Sequence, residues 1–77
     1  MKLTKGEIHN LEFHYGRQDV NSFWGIQMRA MYKADSENLS MLMKAFPEEA
    51  ESVLRWRTEN GYARRIEKEY KEFLGLE

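Results

Sequence analysis

Apolar residues recur along this chain at the three- and four-residue spacing of helix faces, and no useful stretch alternates with the two-residue period of a strand. Ile8, Leu11 and Tyr15 form the first such set. Ahead of them, Thr4-Lys5-Gly6-Glu7 fits a capping box: the Thr4 hydroxyl accepts from the Glu7 amide while the Glu7 carboxylate reaches back. Gly16 supplies a C-terminal stop. A second helix is predicted from about Val20 to Ala34, with Asp19 as its N-cap. At about 100° per residue, Val20, Phe23, Trp24, Ala30, Met31 and Ala34 share one broad face. Ile26 and Met28 widen it, which leaves Ser22, Gly25, Arg29 and Lys33 as the polar side. A helix this apolar is expected at the centre of a fold, with partners on more than one side.

The third helix is short, capped by Asp35 or Ser36, with Leu39, Leu42, Met43 and Phe46 as its stripe. Pro47 fits the first turn of a fourth helix, where its missing N–H does no harm. Glu48 and Glu49 in that turn suit the helix dipole, and Ala50, Val53 and Leu54 are expected to face inward. Asn60-Gly61 signals a break. Beyond it the spacing resumes at Tyr62, Ile66, Tyr70, Phe73 and Leu74, either as a fifth helix or as a continuation of the fourth through Gly61. The last segment then packs back on the core or reaches a neighbouring subunit. The expectation is an all-α fold, a compact, self-associating bundle of four to five short helices that forms one domain over residues 1–77 and a homo-oligomer in solution.

Size changes this picture in one respect. A chain of 77 residues buries only about 60% of its unfolded surface. Small domains draw added stability from disulfides, metals or association. The chain has no cysteine, which removes disulfides and cysteine-based zinc sites and leaves tight packing or self-association. Charged residues are 32% of the chain, yet the formal net charge is only −1. A general attraction to nucleic acid or to an anionic membrane is therefore not encoded. No apolar run is long enough to span a bilayer, and Met1 to Glu7 lacks the apolar core of a signal peptide. A cytoplasmic protein is the expectation.

Candidate chemistry is sparse. His9 and His14 are five apart, about 140° around a helix, which is not the spacing of a metal-binding pair. The carboxylates, Glu48, Glu49, Glu51, Glu67, Glu69 and Glu72 among them, read as solvated helix surface with partners such as Glu67 and Lys71. No catalytic residue, metal ligand or cofactor site emerges. Gln27 falls among Phe23, Trp24, Ala30 and Met31, so it is either a satisfied core amide or a polar group in an interface or ligand pocket. Arg55, Arg57, Arg64 and Arg65 lie beside Trp56 and Tyr62. That mixture suits a plain surface, a protein interface, or a nucleotide contact combining phosphate binding and stacking. Trp24, Met28, Met31 and Tyr32, with Met41 and Met43, fit a core or an adaptable contact surface.

The run Phe23 to Tyr62 resembles a pattern in small helical phage and prophage proteins. There an aromatic-rich helix ends in Ala-Asp (Ala34-Asp35 here), Asn-Leu follows (Asn38-Leu39), and Phe-Pro-Glu-Glu (Phe46 to Glu49) opens the next helix. The resemblance implies a small accessory protein of a phage or mobile element, acting in the host cell, and it carries over no catalytic residue. With the composition it points to a non-enzymatic binding module whose partner is a host or phage protein, for instance one of host defence. The candidate surface combines Trp24, Gln27, Met28 and Tyr32 with Arg55, Trp56, Arg57, Tyr62, Arg64 and Arg65. Two alternatives stand beside it: an oligomer sequestering a signalling nucleotide, and a minor structural component of a virion.

Overall fold

The computed structural model describes residues 3–75, and five helices with no strand run through them. The first, α1 (Lys5–His14), opens with the full capping box: Thr4 Oγ1 accepts from the Glu7 amide and Glu7 Oε1 from the Thr4 amide, both at 3.0 Å. It closes at Gly16, whose φ of 68° lets its amide return to Phe13 O and that of Arg17 to Glu12 O. This double closure satisfies the last carbonyls of the helix. Next, α2 (Phe23–Lys33) begins later than its apolar pattern suggests. Ser22, not Asp19, is the N-cap, with Oγ accepting from the Gly25 amide at 3.1 Å. Asp19 shapes the loop instead: its carboxylate takes the Asn21 amide and its carbonyl the Ser22 amide, each at 2.9 Å.

Asp35 caps α3 (Ser36–Ala45) by accepting from the Asn38 amide at 2.8 Å. Pro47 is the first residue of α4 (Pro47–Thr58), with Glu48 and Glu49 in its first turn. Gly61, at φ 83°, then breaks the chain, and α5 (Tyr62–Leu74) is a separate helix.

The centre of the bundle is α4, which touches all four other helices, while α1 packs on α4, α2 and α5. Gly6 makes the α1–α4 crossing possible. A β-carbon there would overlap the Glu48 carbonyl and stand 2.5 Å from the Glu49 nitrogen. The apolar core has two lobes. Leu3, Leu11, Tyr62, Ile66 and Tyr70 form the lobe that holds α5 against α1. Met28, Met31, Leu39, Ala50 and Val53 join α2, α3 and α4.

The expected central place of α2 is met only in part: it touches α1, α3 and α4, yet Gly25, Met28 and Met31 are its only fully buried residues and its other side is left in water. Gly25, assigned to the polar side by the pattern, is buried because the Asp19–Val20 backbone crosses where its β-carbon would be. Phe23, Ile26 and Ala30, assigned to the inner face, are exposed, as is Val20 in the preceding loop. Leu54 also points outward at 40% exposure, and Phe73 at 56%. Glu49 is buried rather than solvated, and Glu67 accepts a hydrogen bond from the Tyr15 hydroxyl at 3.0 Å in place of the expected Lys71 contact. No helix among the described residues is long and apolar enough to cross a membrane.

Candidate functional site

A line of polar side chains crosses the bundle between its two apolar lobes. On α1, Glu7, Asn10 and His14 recur at spacings of three and four, which places them on one face. His14 Nε2 lies 2.8 Å from the Tyr32 hydroxyl, which donates to Asn10 Oδ1 at 2.6 Å. Asn10 Nδ2 donates to Ser52 Oγ at 2.9 Å. Ser52 Oγ meets the Tyr62 hydroxyl at 2.8 Å, and Tyr62 donates to Glu7 Oε2 at 2.8 Å. Each hydroxyl has one proton to give. Tyr32 spends its proton on Asn10, so His14 donates at Nε2. Tyr62 spends its own on Glu7, so Ser52 donates to Tyr62. All five bonds thus run one way, from His14 to the capping-box glutamate, and they tie α1, α2, α4 and α5 together. Burial pushes the Tyr32 hydroxyl well above its ordinary value. It pushes Tyr62 up to about 12, helped by the Glu7 carboxylate and opposed by the Ser52 hydrogen bond. Such a network fixes helix positions, and the amide of Asn10 interrupts it as a path for protons.

Each histidine lies on a tryptophan. His14 stacks on Trp56 with ring centroids 4.0 Å apart, and burial lowers its pKa against the opposing pull of Glu67. His9 stacks on Trp24 at 4.3 Å and its Nδ1 meets Glu49 Oε2 at 2.7 Å. Both rings therefore serve as packed, hydrogen-bonded parts of α1, and no cluster able to hold a metal ion occurs among the described residues.

The structure divides the residues that the sequence grouped as a surface between the core and the exterior. Met28 is fully buried and Tyr62 is 1% exposed, so both belong to the core. Tyr32 is half-buried within the polar line, and Trp56 is half-buried against His14. Arg55 pairs with Glu59 at 2.9 Å and covers one side of the Tyr62 ring, with its guanidinium carbon 4.3 Å from the centroid. Arg65 approaches the same ring at 5.4 Å. Arg57 donates to the Ala34 carbonyl at 3.2 Å, and Arg64 is exposed. Gln27 is half-buried at the margin of α2, not central to its packed face.

A different surface assembles where α2 begins, above the α3–α4 junction. Phe23, Trp24 and Phe46 meet edge to face with centroids 5.1 to 5.7 Å apart. The His9–Glu49 pair supports the Trp24 ring from below. Phe23, a corner of this triangle, is 56% exposed, and nearby in the sequence Val20 is 56% and Ile26 46% exposed. Rigid rings backed by a packed floor, with large apolar groups left in water, have the makings of a contact surface. Of these residues only Trp24 stood in the sequence-derived set. The missed signal is that α2 carries two apolar stripes, Trp24-Met28-Met31 and Phe23-Ile26-Ala30. The interior takes only the first.

Compared with protein-family models, curated proteins and solved structures, the chain has no significant match.

Proposed function

We propose that this protein is a non-enzymatic binding module that engages another protein through the corner at the start of α2. The observation that carries the reading is the exposure of Val20, Phe23 and Ile26 around a packed aromatic triangle. Leaving three large apolar groups in water has a cost that burial against a partner would recover, at about 25 cal/mol per Å² of apolar surface. The likeness of residues 23–62 to small phage proteins directs the search for that partner to bacterial host proteins. The arginine stretch gives less support to nucleotide sequestration, because Tyr62 is buried and two of its guanidiniums already lie against that ring.

A Phe23→Asp/Ile26→Asp variant tests this reading. Both positions are exposed, so the variant should keep its helical circular dichroism. Affinity capture from host lysate should recover a protein with the wild type and lose it with the variant. Equal recovery by both would sink the reading.

A further inference from the structure

The chemistry of the α2 surface narrows the kind of protein that fits it. Among the five helices only α2 carries no carboxylate; its charged residues are Arg29 and Lys33, both exposed. They lie together along one edge of the outer stripe of Phe23, Ile26 and Ala30, all exposed at helical spacing. The stripe thus combines two large side chains, one small residue where another backbone can come close, and, from its own helix, cations as the only charges beside it. Resting on the binding function proposed above, we infer that α2 receives an amphipathic helix of a partner protein whose apolar stripe is bordered by glutamate or aspartate.

Charge complementarity selects this occupant. A second copy of the chain, paired face to face through α2, would bring four cations together with no carboxylate from either helix. Close like charges across an interface oppose association. A lipid surface is a weaker fit, because two cations add only about 1 kcal/mol each near an anionic leaflet. An acidic helix satisfies both features at once. Its apolar side chains cover Phe23 and Ile26, its backbone approaches over Ala30, and its carboxylates meet Arg29 and Lys33.

The test uses the intact protein and two synthetic helical peptides with the same leucine stripe, one bordered by glutamates and the other by lysines. Binding is followed by the Trp24 indole signal in ¹H–¹⁵N spectra, since that ring touches Phe23. The glutamate peptide should bind about tenfold tighter than the lysine peptide at low salt, and added salt should erase most of the difference. Arg29→Glu/Lys33→Glu should reverse the preference. Arg29 also donates to the Val20 carbonyl at 3.1 Å, so Lys33→Glu alone provides a milder variant and should halve the difference or more. Equal affinity for the two peptides would overturn the inference. So would a dimer in sedimentation that Ile26→Asp dissolves, or tighter binding to phosphatidylserine vesicles than to either peptide. A lysate partner lost with Phe23→Asp/Ile26→Asp but retained by the charge-reversed variant would overturn the acidic-helix assignment alone and leave the binding function standing.

Discussion

Asn10 is fully buried and polar, and both ends of its amide are used inside the fold. Its oxygen takes the Tyr32 proton, and its nitrogen orients the Ser52 hydroxyl toward Tyr62. Replacing it by leucine takes the acceptor from the Tyr32 hydroxyl and the donor from Ser52 Oγ, although each hydroxyl keeps its other partner. Each such loss falls in the lower part of the range of about 1–3 kcal/mol. A domain of this size has a total stability of about 5–15 kcal/mol. Asn10→Leu should therefore lose about 2–4 kcal/mol, read as a lower urea midpoint with an unchanged slope. By the one-way order of the network, Ser52→Ala leaves Tyr62 still donating to Glu7 but removes the acceptor of the buried Asn10 amide, so it should cost about 1–3 kcal/mol.

Helix pairing turns on a different kind of residue. Taken as an isolated helix position, Gly6→Ala should stabilise α1 by about 1 kcal/mol. At the α1–α4 crossing the added methyl meets backbone atoms of Glu48 and Glu49, which cannot rotate away. Overpacking of this kind costs about 1–3 kcal/mol, so the net effect should be a loss of stability. Gly16→Ala is the control, with open space around the site but a φ of 68°; it should cost about 1 kcal/mol through backbone conformation alone. Thermal melts of the two variants would separate packing from backbone strain, and a stabilised Gly6→Ala protein would mean that the helices do not cross there. The contrast also explains what could be read from the chain. Caps and stops are local chemistry, so the Thr4–Glu7 box and Pro47 were legible, while Asp35 was one of two caps on offer and Gly61 stood open between a break and a continued helix. The hub role of α4 was not: Ala50 and Val53 read as inward-facing, but such small residues do not signal contact with four helices, and the buried Ser52 reads as polar. For α2 the pattern offered two apolar stripes, and only the neighbouring helices decide which one is covered. Within the candidate site the burial of single residues was illegible for the same reason: Tyr62 does lie beside Arg55 and Arg65, but packing turns its ring into the core.

The bundle as a whole should respond to pH from both sides. All four tyrosine hydroxyls, at positions 15, 32, 62 and 70, are raised above the ordinary value, with burial the first cause for each. An unfolded tyrosine ionises near 10. Between about pH 10 and 12 the unfolded chain therefore gives up protons that the folded chain retains. The contribution of these groups is fully present below pH 10 and is lost as pH rises through their folded values. Tyr62 is pushed up to about 12 and Tyr32 higher still, so the loss continues beyond the Tyr62 value. His14 acts in the opposite range. Its folded pKa is lowered by burial, so on acidification the unfolded chain binds a proton first, and stability falls as pH drops below about 6.5. Stability should thus be highest on a plateau between roughly pH 7 and 10. A tyrosinate absorbance titration of the native protein should have its midpoint above 10 and return to about 10 in urea. Urea midpoints measured across the same range should fall on both flanks, and Tyr62→Phe should flatten the alkaline one. A native titration near 10 for all four tyrosines would contradict the burial of Tyr32 and Tyr62 and, with it, the polar line that joins α1, α2, α4 and α5.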